Sequence, residues 1–171
     1  TMIRRIEDND VFEAIQLMNK STKENTYGGY ERNEAVWISF FLNIVAKQKE
    51  NNPHYLAIGE YKDGKLIGFL LASTFKSYYN NKYTMDVKDC IMDKDNSTGF
   101  TVTKLFDEMI AHTKYHGGIK WRADSIRAEE HSAKYAKLLK IKYGAELYYS
   151  AHGTINQEIN MNNIQQENDH E

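Results

Sequence analysis

Three carboxylates fall where their neighbours would bury them. Asp86 and Asp89 lie inside the run Tyr83 to Met92, and Glu60 lies inside Tyr55 to Tyr61. A general base must reach its proton directly or through one water, and must sit where its pKa can rise. Strand side chains alternate, so Asp86 and Asp89 are expected on opposite faces, with at most one turned toward a cleft. Asp89 shares a face with Met85, Val87 and Ile91, and burial there would raise its pKa. Its plainer reading is a carboxylate paired with a neighbouring Lys or Arg. His112 and His116 have the i, i+4 spacing that suits zinc on a helix, but no third ligand is near in sequence, so they read as a solvated helix end. Cys90 has no adjacent base and reads as an inert thiol.

The elements that must position these groups follow from periodicity. Met2 to Ile6 alternates like a short strand. Asp8 or Asp10 offers a helix cap ahead of Val11, Ala14, Ile15 and Met18 at helical spacing. Ser21 to Asn33 is polar, contains Gly28 and Gly29, and reads as a loop. A second helix carries Val36, Trp37, Phe40, Phe41, Ile44 and Val45 on one face and ends near Asn51, ahead of Pro53. Trp37 and Trp121 are expected as core or interface residues. Tyr55 to Tyr61 and Leu66 to Phe75 flank Lys62-Asp63-Gly64-Lys65, a hairpin whose Asp-Gly supplies the positive φ angles of a tight turn.

Tyr83 to Met92 is a further strand, followed by a polar loop from Asp93 to Gly99. A helix from about Phe100 to Tyr115 carries Val102, Leu105, Phe106, Met109 and Ile110 as its apolar stripe, and His116-Gly117-Gly118 stops it. Ile119, Trp121 and Ala123 alternate as a strand. A helix from about Glu129 to Lys142 ends at Tyr143-Gly144, and Glu146 to Ile155 is expected as a last strand. The domain is thus expected over residues 2–155, with residues 156–171 a polar, flexible tail.

Composition bounds the function. The 171 residues suffice for one domain with a sizeable core, and 41% hydrophobic with 27% charged residues is a globular balance. No apolar run approaches a membrane span and no signal peptide is visible, so a cytoplasmic protein is expected, with no membrane partner. Thr1 ahead of Met2 reads as a residue left by an expression tag. One cysteine excludes a disulfide framework. With 22 basic and 24 acidic residues and no block of like charge, generic nucleic-acid binding has little support. Abundant Tyr and Asn with a single Pro is the usage of an AT-rich genome, a phage's for example.

The order strand, two helices, hairpin, strand, helix, strand, helix, strand resembles the GNAT (GCN5-related N-acetyltransferase) fold, over roughly Met2 to Ile155. "YLAIGEYKDGKLIGFLLAS" is similar to the family's second and third strands. The strand, polar loop and amphipathic helix from Tyr83 to Tyr115 are similar to its cofactor motif. "AKYAKLLKIKYGAEL" is similar to its final helix, closing on a Gly. The resemblance implies an α/β (α+β) fold with a mixed, mainly antiparallel sheet flanked by about four helices.

It also implies an N-acyltransferase that moves an acyl group directly from acetyl-CoA, or another acyl-CoA, to a primary amine, without a metal. Cofactor contact is then implied at Ile91 and Met92, with a strand-bulge N–H there as oxyanion donor. A phosphate cradle would run through Asn96, Ser97, Thr98, Gly99, Phe100, Thr101 and Val102, since a helix N-terminus presents unpaired donors to an anion. Here the family usually places a basic or Gln residue and two close glycines; this chain has one glycine and the acids Asp93 and Asp95. Lys94 or Lys104 could supply charge. The family's acid to the departing thiolate is often a Tyr four residues before the closing Gly; that position is Lys140, so Tyr135 and Tyr143 stand as substitutes. Tyr27 and Tyr30 fall where the acceptor pocket is usually shaped. The implied acceptor is a small molecule or a protein amine, with nucleic acid limited to tRNA, and a homodimer is compatible. The competing expectation is an inactive GNAT-like interaction or assembly module, for instance in a phage particle.

Overall fold

The computed structural model describes residues 1–22, 33–124 and 130–146. Five strands form one sheet in the order β1 (Met2–Arg5), β2 (Tyr55–Lys62), β3 (Lys65–Lys76), β4 (Tyr83–Met92) and β5 (Lys120–Ala123). The first four are antiparallel neighbours, and only β4 and β5 run parallel. Four helices accompany them: α1 (Val11–Thr22), α2 (Glu34–Lys49), α3 (Gly99–Tyr115) and α4 (Glu130–Tyr143). This is the mixed, mainly antiparallel architecture expected. Of the expected last strand only Glu146 is described, and the tail at 156–171, Tyr27 and Tyr30 lie outside the described residues.

Two cores, one on each face, hold the sheet. Val11, Ala14, Leu17 and Met18 of α1 and Phe41, Ile44 and Val45 of α2 pack on Ala57, Tyr61, Leu66, Phe69, Leu71 and Ile91. Val102, Leu105, Phe106 and Met109 of α3 and Leu139 of α4 pack on Leu56, Ile58, Leu70, Ala72, Met85, Val87 and Met92. Full burial of each large apolar side chain contributes about 1.5–3 kcal/mol. Val36, expected on the inner face of α2, is exposed; the face starts one residue later, at Trp37.

Polar groups fix the joints. The Gln48 side chain accepts the Ala57 N–H at 2.9 Å and donates to the Ile6 carbonyl at 3.3 Å, tying α2 to the start of β2. The cap ahead of α1 is not the simple one expected. Asp10 sits in a short 3-10 turn, Asp8–Asp10, accepts the Glu7 N–H at 2.9 Å and takes both Arg4 guanidinium nitrogens at 2.7 and 2.8 Å. The β2–β3 turn is the expected two-residue hairpin, with Lys62 opposite Lys65 and φ of 52° at Asp63 and 78° at Gly64.

β4 carries the fold's most consequential irregularity. Leu71 pairs with Asp89 and Ala72 with Val87, so Lys88 is an extra residue in a β-bulge. A one-residue insertion reverses the facing of everything after it. Met85 and Val87 therefore face α3, whereas Ile91 lies in the α1/α2 core. The expectation that Met85, Val87, Asp89 and Ile91 share a face fails for this reason. So does the expectation that Asp86 and Asp89 face opposite ways: paired with Ser73 and Leu71, both point to the α1/α2 side.

Candidate active site

Among the described residues β5 accompanies β4 from Thr84 to Val87, and none is paired with Lys88 to Met92 on that side. Over these residues the sheet parts at the bulge. Asp89 stands on the α1/α2 side of this parted half, and its Oδ2 accepts the Trp37 indole N–H at 2.9 Å. Trp37 in turn tilts against Phe41, at 5.5 Å between centroids, so the indole is braced by the core. The plain reading of Asp89 as the partner of a Lys or Arg misses this bond. A half-buried Trp still needs a partner for its N–H, which is the signal in the sequence that could have found this bond.

On the other side of the parted half lie Cys90 and Tyr135, both half-buried against the α3/α4 core. Burial pushes the Cys90 thiol up to about 12, with the Asp89 charge adding to it, so the thiol is protonated and un-nucleophilic at neutral pH. Burial likewise raises the Tyr135 phenol to about 12, keeping its proton available for donation. Tyr143 is placed differently. Its hydroxyl reaches Asp107 at 2.7 Å and the Thr103 carbonyl at 3.1 Å, and its ring packs on Phe106 and Trp121. It closes the seam between α3 and α4.

Asp86, one turn of the pleat before the bulge, is buried and held by Arg122 at 2.9 and 3.3 Å and by Lys88. Burial alone would raise its pKa, but these two cations hold the carboxyl below the usual range. A carboxylate so neutralised is a poor base. Glu60 is buried on the α3 face instead, paired with Lys104. Lys104, one of the two expected sources of positive charge, is thereby turned to Glu60.

The loop between β4 and α3 is a turned-in structure. The Asp93 carbonyl accepts the Ser97 N–H at 2.8 Å and the Asn96 N–H at 3.3 Å. The Asp93 carboxylate accepts the Asp95 N–H at 3.0 Å and the Asn96 side chain at 2.8 Å. Lys20, near the end of α1, bridges Asp93 at 3.2 Å and Asp95 at 2.6 Å. Burial opposes the Asp93 charge, yet these donors hold its carboxyl below the usual range. Lys20, 73 residues away in sequence, brings a second basic residue to the loop beside Lys94.

Thr98 caps α3, its hydroxyl accepting the Phe100 N–H at 3.3 Å, while the Thr101 hydroxyl accepts the Thr98 N–H at 3.3 Å. Of the expected cradle, then, Asn96, Ser97, Thr98 and Phe100 have their amides engaged, and Thr101 and Val102 are buried under the helix. Gly99 is the position that opens outward: a Cβ built there meets nothing within 4 Å. Ile91 and Met92 have buried side chains, and the Ser21 hydroxyl reaches the Met92 carbonyl at 3.4 Å. The bulge expected near Ile91 or Met92 is at Lys88.

The His112 and His116 rings meet tilted, 4.5 Å between centroids, and His112 Nε2 meets the Pro53 carbonyl at 2.9 Å, which ties α3 to the entrance of β2. Among the described residues no group of three His, Cys, Asp or Glu side chains is placed to hold a metal. No helix among them is long and apolar enough to cross a membrane.

No protein-family model and no curated sequence matches the chain. Solved structures do. A ribosomal-protein-alanine N-acetyltransferase from Brucella melitensis biovar Abortus 2308 superposes with a TM-score of 0.65 at 15% identity, over 90% of this chain and 99% of that one. An aminoglycoside acetyltransferase from a soil metagenome, in complex with sisomicin, gives 0.67 at 15% identity over 91% and 96%. An aminoglycoside 6′-N-acetyltransferase from Acinetobacter haemolyticus gives 0.66 at 15% over 94% and 100%. The chain has the GNAT fold, as a divergent example of it, and these three structural neighbours are named as acetyltransferases.

Proposed function

We propose that this chain is an acetyl-CoA-dependent N-acyltransferase acting on a primary amine by direct transfer. The observation that carries the reading is the parted half of β4, with Asp89 on one face, Tyr135 on the other and the α3 N-terminus at its end. That two of the neighbouring structures are named as N-acetyltransferases supports it.

In this reading the thioester lies along Lys88 to Met92, and its carbonyl oxygen takes a β4 N–H, which stabilises the charge that develops there. The pyrophosphate meets the Gly99 amide and the α3 N-terminus, while Lys20 holds the Asp93 and Asp95 carboxylates. The amine approaches from the α1/α2 side. Its nitrogen bonds to the carbonyl carbon as Asp89, directly or through a water, takes the amine proton. The C–S bond then breaks and Tyr135 gives its proton to the departing thiolate. Trp37 positions the Asp89 carboxylate.

A second reading, a GNAT-like interaction or assembly module, is favoured by the loop amides spent on Asp93. Thiol release from acetyl-CoA over a panel of amines, aminoglycosides and peptide N-termini included, separates the two. Asp89→Asn and Tyr135→Phe should each lower the rate about 10²–10⁴-fold. No thiol release with any amine, or full rates in both variants, would contradict this mechanism.

A further inference from the structure

The end of the sheet away from the α3 N-terminus has a distinct surface chemistry. Neither Leu71 to Met85 nor Met109 to Ala123 contains an Asp or Glu, in a chain that has more acids than bases. The fold sets these two stretches side by side: Tyr83 pairs with Lys76 across the β3–β4 turn, and the Ile119 N–H donates to the Tyr83 carbonyl at 3.1 Å. Lys76, Lys82 and Lys114 are exposed there.

The same surface displays aromatic rings. Tyr78 and Tyr79 are 90% and 91% exposed, meet edge to face at 4.7 Å, and occupy the tip of the β3–β4 turn; Tyr115 at the end of α3 is 85% exposed. The tip is well built. The Ser77 N–H donates to the Lys82 carbonyl at 2.7 Å and the Asn81 N–H to the Ser77 carbonyl at 2.9 Å. The Ser77 hydroxyl accepts the Tyr79 N–H at 3.3 Å and the Asn80 side chain accepts the Lys82 N–H at 3.1 Å. Asn81 takes the left-handed conformation, φ 61°, that closes the turn. Two tyrosines whose apolar rings face water on an ordered turn gain nothing for the fold.

We propose that the β3–β4 turn and the adjoining α3–β5 connection bind single-stranded nucleic acid. Bases stack on aromatic faces whatever their sequence, and lysines around the platform track the phosphates. At the β3–β4 turn the surface offers rings and cations and no unpaired strand edge, since β3 and β4 pair with each other up to Lys76 and Tyr83. That favours a stacking ligand over an acidic peptide, which would add to an edge or fill a groove. Overall charge concealed the feature, because the net −2 averages over the whole chain.

Fluorescence anisotropy with a short labelled oligothymidylate tests this directly, with the same strand in duplex, polyglutamate and phosphatidylserine vesicles as competitors. Saturable binding is expected at low salt, and Tyr78→Ala and Tyr79→Ala should weaken it by about tenfold for each ring. Lys76→Gln and Lys82→Gln should flatten the plot of log affinity against log salt by about 0.7 each. Lys62→Gln, at the opposite end of the sheet, should change neither. Absence of saturable binding overturns the proposal, as does binding indifferent to the ring variants. Stronger competition by polyglutamate or by vesicles than by single strand overturns it too. Urea unfolding of the Tyr variants should match the parent; a lowered midpoint would show that the rings serve the turn, and would count against a binding role.

Discussion

The first half of β4, Tyr83 to Val87, lies between two strands, whereas the second half, Lys88 to Met92, is paired among the described residues with β3 alone. Each half carries a carboxylate on the α1/α2 side. In the closed half Asp86 is locked by Arg122 and Lys88, and Arg122 lies 4.5 Å over the Phe75 ring. In the parted half Asp89 takes a neutral indole N–H from Trp37. One bulged residue separates them. The difference teaches that the same residue type in one strand serves structure where its charge is compensated. It is placed for chemistry where an indole N–H orients it beside the end of the β4–β5 pairing.

Removing the bulge is the harshest test of that contrast. Deleting Lys88 would make β4 alternate without interruption while leaving Asp89 and Ile91 on the α1/α2 side and Met92 on the α3 side, and it would take one of two cations from the buried Asp86. The expected loss is about 3 kcal/mol by urea unfolding, since the bulge is removed and a buried carboxylate loses part of its compensation. A deletion that leaves stability intact would break the account of β4.

Asp86→Asn sharpens the contrast in the closed half. It should cost about 1–2 kcal/mol, discounted because both cations are partly exposed. Because the folded-state pKa of Asp86 lies below its ordinary 3.8, its stabilisation is present above that value and is lost as pH falls through the lowered pKa. The Asn variant should therefore show a shallower loss of stability in acid. Asp89→Asn, by contrast, should alter turnover far more than stability.

Two glycines give the smallest and cleanest pair. A Cβ on Gly68 would lie 2.8 Å from Met92 Sδ and from Thr101 Cγ2, where α3 begins, so Gly68→Ala should cost about 1–3 kcal/mol. Gly99→Ala adds its methyl to open space and should change unfolding by only a few tenths of a kcal/mol.

Much of this fold is legible in the sequence because local physics dictates it. Asp63-Gly64 must turn, the stripes from Val102 to Met109 and from Val11 to Met18 must face a core, and Gly117 and Gly144, at φ 77° and 63°, end their helices. The bulge is not legible. Apolar residues at positions 85, 87 and 91 satisfy uninterrupted alternation equally well, and only the pairing with Leu71 and Ala72 reveals Lys88 as the extra residue. The site depends on contacts that no local pattern encodes. Trp37 reaches Asp89 across 52 residues, and Lys20 reaches Asp93 across 73. The acids of the β4–α3 loop look hostile to a phosphate in sequence, whereas in the fold Lys20 bridges both and offsets part of their charge.

Calorimetric titration of acetyl-CoA into the parent chain and into Gly99→Val tests the central claim most directly. The account predicts one saturable site per chain, weakened about tenfold or more by Gly99→Val, whose side chain would occupy the approach to the α3 N-terminus. Absence of heat from binding at millimolar acetyl-CoA, or equal affinity in the two proteins, would contradict it.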